Sequence, residues 1–336
     1  MSIDIKLDQI APDFAEGLVQ TKEEREDELL ARRNVVGVGL GYKFTDGRPT
    51  GDRAVQVFVE QKVDVDMLSE ADRVPKTLNR RPTDVIEIGT LFAGDHHLTH
   101  PHHAGTTAEL ELGPLTLKQM RRPAMGGDSV GHFAITAGTA GAGCYDSNIA
   151  PGIPRRYYIL SNNHVLANSN NANIGDLVYQ PGPIDGGTAA DAIGRLARYV
   201  PIKFDGSDNL VDAAIAEVEF HDFTREIYYQ GYVNQNFAAV GVGAIVQKTG
   251  RTTNFTTGTV ISVNATVNVN YGGGQVARFI RQIITTNMSA GGDSGSLVLD
   301  VDENAVGLLF AGSSQATIIN NIAFVQSLLG IRLTEK

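Results

Sequence analysis

Apolar positions in the first third of the chain form a pattern that suits one or two helices and a few strands. Residues 22–33 (KEEREDELLARR) are charged and favour a short helix. Two valine-rich stretches, at 35–41 and 54–59, flank a turn signal at 45–49. This arrangement predicts a β-hairpin.

The next stretch completes a small domain. A second short helix is predicted within residues 63–79, ending near Pro75, and residues 83–89 are predicted to form another strand. Hairpin, helix and strand together give a small α+β domain at residues 35–92. A helical segment at residues 1–34 precedes it.

From residue 121 onward the pattern changes to short apolar strands separated by glycine, asparagine and proline. Examples are the stretches at 157–160, 213–218 and 297–299. Many short strands with turn signals and few helical periods indicate an antiparallel barrel or sandwich. Residues 121–336 are long enough for two small barrels packed together.

Composition narrows the classes of function. The chain has 336 residues, of which 42% are hydrophobic, so it can bury a large core. Its formal net charge of -10 gives no general attraction to nucleic acid or to anionic membranes, and neither is expected as a partner. No apolar run is long enough for a membrane span and the start lacks an export signal, so we expect a soluble cytoplasmic protein. Cys144 is the single cysteine, which excludes an intramolecular disulfide and favours a buried thiol.

A histidine-rich stretch separates the two halves. Its members are His96, His97, His100, His102 and His103. Imidazole binds transition metals, so this density allows a metal site. Glycine and proline interrupt regular structure there, however, and no cysteine or compact carboxylate set completes a site. We therefore predict a linker over residues 93–120, with no metal site and no cofactor.

One hydroxyl stands between glycines in the stretch 291–296 (GGDSGS). Flanking glycines permit a tight turn and leave backbone N–H groups unobstructed, as the stabilisation of a tetrahedral oxyanion requires. A serine also needs a histidine as general base, and a carboxylate to orient that histidine. Ser294 is therefore a candidate nucleophile whose two partners must lie elsewhere in the chain.

His164 is the leading candidate for the base, because it follows an apolar strand within the polar turn of 159–166. His132, which precedes a strand, and His221, which lies beside acidic residues, are its competitors. No histidine follows His221. This absence excludes the serine, acid, histidine order that an α/β-hydrolase would need with Ser294 as nucleophile.

Asp212 is the leading candidate for the orienting carboxylate, because it lies at the mouth of the apolar strand at 213–218. Asp205 and Asp208 remain alternatives in a more polar loop nearby. With Asp212, the order along the chain is histidine, aspartate, serine. That order is the one found in chymotrypsin and differs from the order in subtilisin.

Three blocks of the sequence resemble the active-site blocks of chymotrypsin-like serine peptidases: 163–165 (NHV), 212–215 (DAAI) and 292–296 (GDSGS). The wider pattern resembles bacterial relatives of the plant narrow-leaf protein, through the stretches at 36–39, 131–132, 136–139, 160–167 and 180–183. This resemblance implies a mainly β fold of two packed antiparallel β-barrels of chymotrypsin type, preceded by the small α+β domain.

For the site, the resemblance implies that Ser294 attacks the scissile carbonyl, that His164 takes and returns the proton, and that Asp212 holds the imidazole tautomer. The backbone N–H groups of Gly292 and Ser294 would form the oxyanion hole. The implied activity is that of a serine endopeptidase that hydrolyses protein or peptide substrates through an acyl-enzyme. The alternative is a non-catalytic binding or scaffold protein that retains the protease fold, and a homo-oligomer is compatible with either.

The substrate pocket departs from the family pattern. Met288 stands six residues before the serine, where trypsin has an aspartate, so a preference for a small or apolar side chain is expected. Phe310 and Ala311, followed by Gly312, replace the more usual serine and tryptophan of the strand that pairs with substrate. Asp293 needs a partner other than a new N-terminus, because no favourable activation cleavage site is evident.

Overall fold

The computed structural model describes residues 7–45, 48–94, 117–147 and 156–334, and the stretch from His96 to His103 lies outside them. The helices are α1 (Leu7–Ile10), α2 (Glu16–Leu30), α3 (Asn163–Leu166) and α4 (Ile322–Leu329). Single 3₁₀ turns lie at Val65–Met67, Pro183–Asp185 and Ala189–Asp191.

The strands account for most of the remaining structure. Those of the N-terminal half are β1 (Val35–Thr45), β2 (Arg48–Val59), β3 (Thr77–Leu78), β4 (Arg81–Glu87), β5 (Phe92–Ala93), β6 (Ala124–Gly126), β7 (Ser129–His132), β8 (Gly138–Thr139), β9 (Ala142–Asp146) and β10 (Tyr157–Ser161). Those that follow are β11 (Leu177–Tyr179), β12 (Ala192–Tyr199), β13 (Asp208–Asn209), β14 (Ala214–Val218), β15 (Phe223–Ile227), β16 (Ile245–Gly250), β17 (Asn254–Asn270), β18 (Val276–Thr286), β19 (Leu297–Asp300), β20 (Ala305–Gly312), β21 (Ala316–Asn321) and β22 (Ile331–Arg332). The chain is mainly β with an α+β segment at its N-terminus, which confirms the predicted fold class.

The N-terminal elements confirm some of the predictions made from the sequence and contradict one. β1 and β2 form the predicted antiparallel hairpin, and α2 covers most of the predicted first helix. The second predicted helix, within residues 63–79, is wrong, because a single 3₁₀ turn followed by β3 lies there. Val65 and Met67 are 63% and 79% exposed, so a helix at this place would have no apolar face to bury. Packing of such a face supplies most of the stability of helices in proteins.

One sheet of twelve strands combines the N-terminal hairpin with the C-terminal half of the chain. Strands β18, β21, β20, β19, β16 and β17 follow one another in this sheet, and β17 pairs again with β18. These six strands therefore close into a barrel. β1 pairs antiparallel with β17, with Gly37 opposite Val267, so the hairpin extends the barrel by direct strand pairing.

Glycines allow β1 to pack closely against this barrel. A Cβ atom on Gly37 would lie 2.9 Å from Val267 Cγ1, and a Cβ atom on Gly39 would overlap Ser262 Oγ. Real Cβ atoms do not make such contacts, since protein interiors are close-packed. The glycines among the valines of β1 are thus explained by the close approach of two strands.

Helix α2 is fixed to the barrel by ion pairs, of which the one made by Lys22 is buried. Lys22 is 2% exposed, its Nζ donates to Thr266 Oγ1 at 2.8 Å, and it pairs with Glu26. Burial lowers the pKa of Lys22. Arg278 contacts Glu26 at 3.1 Å and Asp27 at 2.6 Å. These contacts connect α2 to β17 and β18.

The second large sheet has eight antiparallel strands in the order β22, β9, β10, β14, β12, β11, β7, β8. Cys144 lies in β9 and is fully buried, as predicted, and burial raises the pKa of its thiol. The two sheets share a hydrophobic cluster that includes Leu160 and Ile215 from this sheet and Leu297 and Leu308 from the barrel. The candidate site lies where these two sheets meet.

Candidate active site

His164 and Asp212 meet at one end of the eight-stranded sheet. His164 lies in α3, directly after β10, and Asp212 lies just before β14, which pairs with β10. Strand pairing thus brings the two side chains together. His164 Nδ1 lies 2.6 Å from Asp212 Oδ2, and the His164 backbone N–H donates to Asp212 Oδ1 at 3.2 Å. Asp212 is fully buried, so its carboxylate depends on such donors.

Three further residues hold Asp212 in place. The Tyr271 hydroxyl donates to Asp212 Oδ2 at 2.7 Å, the Asp212 backbone N–H donates to Asn320 Oδ1 at 2.9 Å, and Asn162 Nδ2 donates to the Asp212 carbonyl oxygen at 2.7 Å. Burial raises the pKa of Tyr271 well above its usual value, so the phenol stays a neutral donor. Sequence reasoning missed Tyr271, because a single tyrosine after β17 belongs to no motif.

Ser294 lies in a tight loop between β18 and β19. Gly292 and Gly295 have φ angles of +92° and +98°, in the region that favours glycine. A Cβ atom on Gly292 would overlap Arg251 Nη1, and one on Gly295 would overlap Ser161 Oγ. The N–H groups of Gly292 and Ser294 donate no hydrogen bond within the described part of the chain. Both donors are therefore available to an oxyanion.

Thr139 connects the serine loop to the histidine turn. The Thr139 N–H donates to the Ser294 carbonyl oxygen, and Thr139 Oγ1 donates to the Gly292 carbonyl oxygen, each at 2.8 Å. Ser161, three residues before His164, donates through Oγ to the Thr139 carbonyl oxygen at 2.8 Å. His164 Nε2 is buried and has no hydrogen-bond partner in residues 7–45, 48–94, 117–147 and 156–334, so it makes no hydrogen bond to Ser294. Such bonds are often long when no substrate is bound.

Asp293 finds its partner inside the chain. Lys248 Nζ lies 3.2 Å from Asp293 Oδ2, and neither side chain is exposed. Thr253 Oγ1 donates to the same oxygen at 2.6 Å, the Ala290 N–H donates to it at 3.0 Å, and the Thr252 N–H donates to Oδ1 at 2.9 Å. The serine loop is thus fixed by Lys248, where the sequence had left the partner of Asp293 open.

A cleft of about 1000 Å³ opens beside Ser294. Of the four residues predicted to form the substrate pocket, Ala311 and Gly312 line this cleft. The Met288 side chain instead packs into a hydrophobic cluster of the barrel, and Phe310 is fully buried in another cluster. The position of Met288 relative to the serine therefore did not indicate the direction of its side chain.

The competing candidates make their polar contacts elsewhere. His132 Nε2 lies 3.1 Å from Asp176 Oδ2, and His221 is 80% exposed. Asp205 accepts hydrogen bonds from the N–H and the hydroxyl of Ser207, and Asp208 pairs with Arg278. Each of these four residues contacts groups outside the serine loop.

Residues 23–87 match the family model of the NARROW LEAF 1 N-terminal domain. The predicted resemblance to relatives of the narrow-leaf protein is confirmed. No curated protein matches the chain.

Several solved structures that resemble this chain are those of proteases. Thermobifida fusca Protease A is 19% identical, with a TM-score of 0.44, and the match covers 62% of this chain and 96% of that one. A glutamic acid specific serine protease is 22% identical, with a TM-score of 0.44 and coverage of 62% and 100%. Cellulomonas bogoriensis chymotrypsin is 19% identical, with a TM-score of 0.44 and coverage of 63% and 98%.

None of the helices in the described residues combines the length and the apolar character needed to cross a membrane.

Proposed function

We propose that this chain is a serine endopeptidase that hydrolyses protein or peptide substrates through an acyl-enzyme. The proposal rests on the 2.6 Å hydrogen bond between His164 Nδ1 and Asp212 Oδ2, which leaves Nε2 without a partner among the described residues. A Cβ atom on Gly94 would lie 3.8 Å from His164 Cδ2, the ring atom next to Nε2. Gly94 and Ser294 line the same cleft, which supports the pairing of His164 with Ser294.

In the proposed reaction, Ser294 Oγ attacks the carbonyl carbon of the scissile bond while His164 Nε2 accepts its proton. The protonated imidazole is stabilised by Asp212 and then donates the proton to the leaving amine. Water hydrolyses the resulting ester by the same steps. The N–H groups of Gly292 and Ser294 would bind the oxyanion, and one such donor typically contributes about 2.7 to 4 kcal/mol of transition-state stabilisation.

A fluorophosphonate probe tests the proposal, because it reacts with activated serine nucleophiles. We expect stoichiometric labelling at Ser294, located by peptide mass spectrometry, and loss of labelling in Ser294→Ala and His164→Ala. Ser289→Ala is the matched control, since Ser289 is a second hydroxyl in the same cleft and should not affect labelling. Equal labelling of the wild type and Ser294→Ala would contradict the assignment.

A second candidate is a non-catalytic binding or scaffold protein with a protease fold. It is favoured by one observation, the lack of a hydrogen bond between His164 Nε2 and Ser294. Incubation with a proteome-derived peptide library separates the two functions. Cleavage products that disappear in Ser294→Ala support the endopeptidase, whereas binding of peptides without any cleavage supports the scaffold.

A further inference from the structure

Strand β5 occupies the edge of the barrel that lies beside the serine. The Gly295 N–H donates to the Leu309 carbonyl oxygen at 2.9 Å, so β20 runs directly from the serine loop. Further along β20, Ala311 and Gly312 line the cleft that contains Ser294. This edge is the place in the cleft where an extended peptide could form strand hydrogen bonds next to the serine.

The chain's own residues take that edge in antiparallel pairing. Ala93 lies opposite Ala311, and Phe92 lies opposite Gly312. On its other side, Phe92 pairs with Asn270 of β17. Both edges of β5 are therefore paired, and no free strand edge remains on this stretch of β20.

The strand leads toward the catalytic histidine of the proposed function. Gly94 follows β5 and lines the cleft together with Ser294. A Cβ atom added to Gly94 would lie 3.8 Å from His164 Cδ2. A peptide bound in this direction would thus present its next carbonyl group toward the serine and the imidazole. Residues 91–94 have the direction and the pairing that a bound peptide would need.

We propose that residues 91–94 occupy the binding site for the acyl side of a peptide substrate, so that the substrates are extended peptides that displace this segment. The inference rests on the proposed function for the identity of the site. The segment also indicates which peptides fit: Ala93 is 3% exposed against the barrel, so a small side chain is required there. Phe92 and Gly94 stand on either side of Ala93, so the peptide that matches the segment carries an aromatic residue, a small residue and then a glycine.

The anchoring of the segment is local, and it can therefore open without unfolding the barrel. β5 has two residues, and the glycines on either side of it, Gly89 and Gly94, have φ angles of +72° and +79°. Leu91 is the main anchor, since it is 1% exposed and packs in the cluster that contains Phe310. Truncation of Leu91 should weaken the hold on the segment and favour a competing peptide.

Peptide binding to the full chain with Ser294→Ala tests this directly. The probe is a fluorescently labelled tetrapeptide amide, Leu-Phe-Ala-Gly, and its Kd is measured by anisotropy. We expect Leu91→Ala to lower Kd by about tenfold or more, the factor that corresponds to roughly 1.4 kcal/mol. Val267→Ala is the matched control, because Val267 is buried in the same cluster but lies outside the segment. An equal Kd in the two variants would overturn the proposal.

A reversible lock provides a second test that does not depend on truncating the core. Ala93→Cys with Ala311→Cys places two thiols directly opposite each other across the antiparallel pair. In the Ser294→Ala background, the oxidised protein should not bind the tetrapeptide, and reduction should restore binding to the level before oxidation. Tight binding by the oxidised form would refute the proposal. Because Ser294→Ala cannot form an acyl-enzyme, both tests remain valid even if the wild type hydrolyses no peptide.

Discussion

Lys248 and Asp293 form a fully buried ion pair, with Lys248 Nζ 3.2 Å from Asp293 Oδ2, and Asp293 directly precedes Ser294. The pair fixes the loop that carries the serine, together with donors from Thr252 and Thr253. Burial lowers the pKa of Lys248, and the adjacent carboxylate opposes this shift. The serine loop is therefore held by Lys248, Thr252 and Thr253, and Asp293 needs no N-terminus released by cleavage as its partner.

Removal of this lysine should destabilise the protein strongly. Lys248→Met leaves Asp293 buried without its countercharge, and breaking a buried pair in this way typically costs about 3 to 5 kcal/mol. Urea unfolding measures the loss. Lys76→Met is the control, since Lys76 is exposed and its substitution should change the free energy of unfolding by less than about 0.5 kcal/mol. Similar losses in the two variants would show that the buried pair does not stabilise the loop.

Tyr271→Phe should reduce catalysis more than substrate binding. The variant removes the hydroxyl that donates to Asp212 Oδ2 at 2.7 Å, and a hydrogen bond to a charged group contributes about 1.5 to 3 kcal/mol. We expect kcat to fall by roughly ten- to a hundredfold with KM nearly unchanged. Tyr157→Phe is a matched control, because the Tyr157 hydroxyl is buried without a hydrogen-bond partner in the described part of the chain. A lower kcat in both variants would argue against a specific role for Tyr271.

Gly292→Ala should displace one of the two donors of the proposed oxyanion hole and so lower kcat. The residue has a φ angle of +92°, which disfavours alanine, and an added Cβ atom would overlap Arg251 Nη1, so the loop or the Arg251 side chain must shift. Loss of one oxyanion donor typically lowers kcat by about 10² to 10³. Gly243→Ala separates this collision from backbone strain, since Gly243 has a φ angle of +96° with open space where a Cβ atom would lie. The Gly243 variant should lose stability but retain its kcat, and equal kcat values in the two variants would contradict the prediction.

Asp128 should make stability depend on pH. Burial raises the pKa of its carboxyl group from 3.8 to about 6. The folded state then binds the proton more tightly than the unfolded state, so the free energy of unfolding falls as the pH rises from about 4 to about 6. Asp128→Asn should therefore be more stable than the wild type at pH 8, by about 1 to 3 kcal/mol, with little difference at pH 4. Urea unfolding at the two pH values checks this, and an equal gain at both would contradict it.

Local sequence patterns were sufficient for the strands that carry the candidate site. The stretch predicted at 157–160 is β10 (Tyr157–Ser161), and the one predicted at 297–299 lies in β19 (Leu297–Asp300). Each strand is an apolar run bounded by turn residues, and this pattern is visible without any tertiary contact. The turn after β10 then places His164 within hydrogen-bond distance of Asp212.

Contacts between distant parts of the chain have no such local pattern in the sequence, so they could not be predicted from it. The pairing of Gly37 with Val267 depends on the register between two strands that are far apart in sequence. The bond from Tyr271 to Asp212 similarly depends on where β17 ends relative to β14. The direction of the Met288 side chain could not be predicted for a different reason. Its distance from Ser294 along the chain specifies a backbone position, whereas packing in the hydrophobic core decides where the side chain lies.

A chain shortened to residues 121–336 would retain His164, Asp212 and Ser294 but lose β1, the neighbour of β17. Backbone N–H and C=O groups around Val267 would then be unpaired at an open strand edge. Such edges recruit strands from other molecules and lead to aggregation. The half of the chain that carries the candidate site thus depends on β1 to cover the edge of β17, and its removal should make the shortened protein prone to aggregation.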